Sequence, residues 1–294
     1  MNAEEFKKNP ELLIAKTIKE YIVNSPKNVL DGGPMFDEPM VGFADADDPI
    51  FQEYKKIIGD FHMTPREALE SRYQRLGKWS GQPQRASVIA WILPITQDTR
   101  LSLRKETIVP SLRWNHTRWH GEALNQELSK DLVALLEQLG CQAVAPMYTD
   151  FWHEVQTPQG PASNWSHRHA CFAAGLGTFS LSDGFITEKG IAIRCGSAVC
   201  DVPLAPSPMK YASHVANCLY YQDKSCRRCM ERCPVGAITE QGHDKNKCMD
   251  FVFVKQREIL KSLGRETGYV GRYLGCGLCQ TKVPCEAGIP KKKS

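Results

Sequence analysis

Eight of the chain's 12 cysteines fall within its last 77 residues, and their spacing narrows what that region can become. One run reads Cys226-Arg-Arg-Cys229-Met-Glu-Arg-Cys233-Pro234. This is the end of a C-x2-C-x3-C-P pattern whose thiolates hold iron–sulfur clusters, the proline turning the chain so that the last cysteine reaches a different cluster. A second group, Cys276-Gly-Leu-Cys279 followed by Cys285, lies downstream, with Cys248 between the two and Cys218 ahead of both. Together they supply the thiolates that two [4Fe–4S] clusters require. Such a set carries single electrons.

Zinc ribbons also use paired C-x2-C motifs, but they have no use for the C-x3-C-P that follows the first pair. Disulfides belong to oxidising compartments. Residues Met1–Lys8 are polar and charged, without an apolar signal segment or a twin-arginine leader, so a cytoplasmic chain is expected. No apolar stretch reaches the ~18 residues that cross a bilayer, and no membrane is expected as a partner. The 294 residues suit one large domain or two ordinary ones. A net charge of +4 is too mild to announce nucleic acid, and the one dense basic run, Lys291–Lys293, reads as a solvated tail.

Apolar periodicity predicts helices over 4–24 (Leu12, Ala15, Ile18, Ile22), 49–60, 65–77 and 120–139. The third opens at Thr64-Pro65, with proline at its first position. The last carries Leu124, Leu128, Leu132, Leu135, Leu136 and Leu139 on one face and ends at Gly140. Strands are predicted at Met40–Ala44, Ala86–Pro94 and Gln142–Pro146, the second too short and too β-rich for a helix. The alternation points to α/β layers. Further on, Ala174-Gly175-Leu176-Gly177-Thr178 ends a helix, and its glycines let the backbone approach a neighbour closely. On their own they read as a structural cap. Arg194-Cys-Gly196-Ser197 and Asp201-Val-Pro-Leu204 follow.

Taken in this order, with Met40-Val-Gly-Phe-Ala44 ahead of them and the paired cysteine motifs behind, these pieces resemble the epoxyqueuosine reductase and reductive dehalogenase superfamily over roughly residues 10–290. The resemblance implies a nitroreductase-like α/β sandwich, residues 1–205, that binds a corrinoid such as cobalamin. It implies a ferredoxin-like domain, residues 206–294, with two [4Fe–4S] clusters. It places Gly175, Leu176, Gly177, Thr178, Arg194, Gly196 and Ser197 at the corrinoid. Cys233, Cys248, Cys276 and Cys279 would ligate the nearer cluster, and Cys218, Cys226, Cys229 and Cys285 the farther one. Two departures stand out: Asp223 and Val283 occupy positions where the family has cysteine, which leaves aspartate ligation open. Cys141, Cys171, Cys195 and Cys200 are left over and read as buried structural thiols.

Reductive cleavage of a C–O or C–halogen bond needs acid as well as electrons. The position at which epoxyqueuosine reductases carry an aspartate is Pro161 here. Of the polar residues in the preceding segment (Tyr148, Asp150, His153, Glu154), Tyr148 and Asp150 are the leading proton donors. His167 and His169 are two apart and so face different ways on a helix; one could approach the substrate cavity. Asp60-Phe-His62 only begins like a cobalt-ligating motif. The six tryptophans could line an apolar pocket. The expected activity is reduction of a small organic molecule, with electrons from a low-potential ferredoxin or flavodoxin. tRNA epoxyqueuosine is the alternative substrate, possible but not favoured, because no basic groove is evident. A non-catalytic electron carrier is a third reading.

Overall fold

Four strands form the central sheet: β1 (Met40–Asp45), β2 (Ser87–Pro94), β3 (Ala143–Val144) and β4 (Ile193–Cys200). Their order is β1-β2-β4-β3, with every pairing antiparallel; Ser87 faces Cys200 at one end of the β2–β4 ladder and Pro94 faces Ile193 at the other. The computed structural model describes residues 3–292, so Met1 and Asn2 of the polar start and Lys293 of the lysine run lie outside it.

All eight residues of β2 are buried because both faces of the sheet are covered. Side chains alternate across a strand. Ile89, Trp91 and Leu93 therefore join α1 (Pro10–Asn24) on one face, while Val88, Ala90 and Ile92 join α2 (Ile50–Ile58) and α3 (Pro65–Arg75) on the other. The long α4 (Leu112–Gln138) packs on the α1 side through Leu124, Leu128, Leu132 and Leu136, and α5 (His167–Ala173) on the α2 side through Ala170 and Cys171. The fold is mixed α/β, as expected, in three layers.

Several boundaries move for physical reasons. The first predicted helix splits at Asn9–Pro10, because a proline has no N–H to continue the ladder. Its buried stripe is Ile14, Ile18 and Ile22, while Leu12 is 68% exposed. α3 starts as read, with a capping box in which Thr64 and Glu67 bond reciprocally. α4 begins eight residues before the expected 120, capped by Ser111 accepting from Trp114 N. Its first turns carry no leucine stripe. They pack instead through polar groups, Asn115 Nδ2 donating to Val270 O and Leu274 O at 3.1 Å each. The strand expected at 142–146 shrinks to β3 and a 3-10 turn at Pro146–Tyr148, after which 154–157 and 160–163 pair as a hairpin.

The cysteine-rich stretch folds into short pieces, among them α6 (Arg228–Arg232) and α7 (Lys245–Asp250). A small core joins Cys218, Tyr220, Ile238 and Val283 to Leu181, Ile186 and Ile191 of the preceding region. Arg232 of α6 fastens the turn that carries the second cysteine motif, donating to Leu278 O at 3.2 Å and Thr281 O at 3.1 Å, and reaches Glu106 O at 2.8 Å.

Candidate functional site

The eight clustered cysteines separate into two neighbourhoods. Cys218, Cys226, Cys229 and Cys285 line a small cavity of about 20 Å³ together with Ser180, Ser182 and Val283. Burial, with Cys218 and Cys226 close by, pushes the Cys229 thiol up to about 12. Burial and the same neighbours raise Cys285 further. In the other neighbourhood, burial pushes Cys276 up to about 12, with Cys248 and Cys233 facing it. Cys279 is raised well above the usual thiol range, by burial first and then by Cys276, Cys248, Cys229 and Cys233. Cys229 touches both neighbourhoods, so they adjoin. Among the described residues, no three His, Cys, Asp or Glu side chains converge on a single metal ion. Asp223 does not face the thiols: Ser225 and Lys292, the latter at 2.9 Å, bind its carboxylate and hold it down at about 2.

A much larger cavity, about 610 Å³, lies alongside. Its walls draw on α4 (Trp114, Thr117, Arg118, Glu122), Met147 and Trp152, the start of α5 (Trp165 to Arg168), 191–195 and Tyr273–Gln280, with Phe36, Ile95, Glu154, Ser163 and Gly184–Phe185 completing them. Cys276 belongs both to this wall and to the second thiol neighbourhood. Trp114, Trp152 and Trp165 line it, whereas Trp91 is core.

Of the two wall carboxylates, Glu122 and Glu154, Glu122 is the one bound by charged partners, and no motif announced it. Arg194 binds its Oε2, Arg118 Nη1 stands 3.9 Å away, and Tyr148 donates to Oε1 at 2.9 Å. Burial works to raise its pKa, but Arg194, Arg118 and the Tyr148 hydroxyl outweigh it and hold Glu122 ionised. Tyr148 moves the other way: burial first, then the Glu122 charge, raise its phenol and keep the proton on. Asn125 Nδ2 donates to the Tyr148 oxygen at 3.1 Å and fixes the ring in place. Tyr148 thus sits one hydrogen bond behind the cavity wall. Asp150, ranked with it from the sequence, is exposed and lies 3.5 Å from Arg75 on the surface. It does not line the cavity.

The residues expected around a corrinoid are scattered. Of the seven, Arg194 alone lines the large cavity. Gly175 and Leu176 border a separate cavity of about 470 Å³ beside α1. Gly175, at φ +68°, backs onto Pro208 O, and a Cβ at Gly177 would stand 2.5 Å from Ile186 O. Their role is close backbone packing, as the cap reading has it. Thr178 is buried and accepts from Asn217 N at 3.0 Å. Gly196 lies under the Trp91 indole, where a Cβ would approach to 2.2 Å. Ser197, fully buried, contacts Trp165 and His167. His169 turns away from His167, bonding Ser166 Oγ at 2.8 Å and packing on Tyr54. His62 bonds Ser163 O at 3.1 Å and stacks on Trp165, an interior contact. Cys171 and Cys200 are buried, and Cys195 reaches the cavity wall.

No family model matches the chain. Two curated relatives do, both named epoxyqueuosine reductase. One, from Bacillus anthracis, is 28% identical over 126 residues, which is 42% of this chain and 30% of the relative. The other, from Bacillus cereus, is 27% identical over the same length and the same shares. The match therefore spans less than a third of these relatives. Among solved structures, a Bacillus subtilis epoxyqueuosine reductase with its catalytic loop swung out has a TM-score of 0.42 at 18% identity, covering 95% of this chain and 67% of that one. An epoxyqueuosine reductase with an epoxyqueuosine-modified tRNA stem loop has a TM-score of 0.46 at 18% identity, covering 99% and 68%. Scores this low add no weight. The curated relatives correct the expectation of a small-molecule reductase and the low rank given to tRNA, since both are named for epoxyqueuosine. Over those 126 residues, the chain is similar to the epoxyqueuosine reductases.

Proposed function

We propose that the chain is an oxidoreductase that reduces epoxyqueuosine in tRNA, with two [4Fe–4S] clusters on the eight thiolates and a corrinoid in the large cavity. The substrate rests on the names of the curated relatives. The redox assembly rests on one observation: Cys276 stands in the wall of the large cavity and within the second thiol neighbourhood. A cluster held there would lie against whatever the cavity holds. Residues 206–294 would form the cluster-bearing part and 1–205 the α/β part, with the cavity between them. A low-potential ferredoxin or flavodoxin would feed the clusters.

The residues present fit a polar ligand. A volume of about 610 Å³ lies within the roughly 300–1,000 Å³ of ordinary small-molecule pockets. Three buried N–H groups of wall residues, Trp152 Nε1, His167 Nε2 and Arg194 Nε, have no protein partner. Buried donors without partners are rare, and a ligand rich in acceptors would satisfy them. A bound corrinoid would supply a low-valent metal centre suited to reductive C–O cleavage.

The chain's own side chains supply the rest. Arg118 and Arg194 place positive charge in the wall, where a breaking C–O bond leaves negative charge on oxygen; fixed charges aimed at such a site lower the barrier. Tyr148 Oη donates to Glu122 Oε1 and orients the ionised carboxylate at the wall, where Glu122 would take a proton from solvent and hand it on. The apolar faces of Trp114, Trp152 and Phe185 exclude water.

Anaerobic reconstitution with iron, sulfide and cobalamin tests the assembly, followed by assay on an epoxyqueuosine-bearing tRNA stem loop. About eight irons and one cobalt per chain, with loss of the epoxide, are the expected result. Full cluster loading without cobalamin binding would defeat the reading.

A further inference from the structure

The His167 ring is held from one side only. Its Nδ1 lies 2.7 Å from Ser197 Oγ, and the same oxygen accepts from Trp165 Nε1 at 3.0 Å. An indole nitrogen can only donate, so Trp165 fills one acceptor position of the serine. The Ser197 hydroxyl hydrogen has one acceptor in reach, His167 Nδ1. Were Nδ1 protonated instead, Ser197 would accept twice and its own hydrogen would be stranded in the middle of the sheet, which buried hydroxyls avoid. Nδ1 therefore accepts, and the ring proton sits on Nε2. That nitrogen has no protein partner, on a residue only 7% exposed that lines the large cavity.

We infer that Trp165 and Ser197 lock His167 in its Nε2–H form, as the hydrogen-bond donor to an acceptor oxygen of the molecule that fills the large cavity. The inference rests on the reductase reading and deepens it. The oxygen belongs either to an amide or phosphate group of a corrinoid or to a hydroxyl or epoxide of the modified nucleoside. Burial, which lowers the pKa of His167 to about 4, keeps the ring neutral near pH 7, so it donates without carrying charge. His167 binds the ligand, and Ser197 and Trp165 are positioning residues.

The test uses the full chain loaded with iron and sulfide. It is titrated with hydroxocobalamin by absorbance and then, corrinoid-loaded, with an epoxyqueuosine-bearing tRNA stem loop by fluorescence anisotropy. His167→Phe should lose about tenfold in affinity in one of the two titrations, the worth of one buried hydrogen bond. His167→Gln, whose amide nitrogen reaches the place of Nε2, should restore most of it. His167→Asn, whose nitrogen falls near Nδ1, should not. Ser197→Ala should lose about threefold by freeing the tautomer. A loss with cobalamin assigns the donor to the cofactor, and a loss with the stem loop alone assigns it to the substrate; both support the inference. Unchanged affinity of His167→Phe for both ligands overturns it and leaves the reductase reading standing. Asn performing as well as Gln overturns the tautomer assignment. A wild-type chain that binds neither ligand overturns both readings. Iron content checks folding, and should the Phe variant fail it, the Gln and Asn pair decides.

Discussion

The two cavities are built in opposite ways. The thiol-lined one takes its four cysteines from residues 218–285, a stretch of short helices and turns packed on a few apolar side chains. The large one draws its wall from many stretches spread between Phe36 and Gln280, and its charged groups meet over long sequence separations, Glu122 and Arg194 being 72 residues apart. The first is a local device whose geometry ligands must complete. The second is a product of the three-layer packing and exists once the sheet is covered. Metal should therefore govern the first, and single side chains should tune the second.

Removing a thiolate from each neighbourhood gives the largest contrast. Cys276→Ala should lose about half of the iron and all cofactor reduction, because its neighbourhood adjoins the large cavity. Cys285→Ala should lose a similar share of iron and leave cobalamin binding in place. Metal counts and binding titrations on both variants read this directly. Equal damage to cobalamin binding by both would erase the distinction.

Protonation comes next. Burial holds His167 neutral in the fold, with a pKa depressed to about 4 against about 6.5 in the unfolded chain. Its contribution is present above pH 6.5 and is lost as the pH falls toward 4, because the unfolded chain then takes up the proton that the fold refuses. The loss is at most about 3 kcal/mol. Thermal unfolding of His167→Gln should fall less steeply than wild type between pH 6.5 and 4. Parallel curves would mean that the ring is already charged or solvated.

Tyr148→Phe should cost about 1 kcal/mol, from the bonds lost to Glu122 and Asn125, and slow reduction by roughly ten- to a hundredfold. Loaded chains at matched iron and cobalt would show it as a fall in single-turnover rate. The smallest effect belongs to Asp150→Asn, within about 0.5 kcal/mol and without change in rate, since its one ion pair is a surface one. A large loss there would bring that segment back into the mechanism.

The same contrast explains what the sequence disclosed. Cysteine spacing is a local signal, and apolar runs such as 86–94 carry their own period, so the thiol sets and the layered fold were legible. Tyr148 was singled out because its segment precedes the glycine loop. Glu122 was not: on α4 it is one polar residue among many, and only folding sets Arg118, Tyr148 and Arg194 around it. The glycine loop misled in the other direction. Gly175 and Gly177 do serve close approach, but to Pro208 O and Ile186 O, and a backbone neighbour leaves the same trace in sequence as a ligand.

Because Cys276 is common to a thiol set and to the wall of the large cavity, the two sites share one free-energy cycle. Anything that binds the cavity better when the cluster is in place must, by reciprocity, tighten the hold on iron by the same factor. If the proposed cluster and cofactor both form, a filled cavity would then shift the equilibrium against loss of iron to chelators.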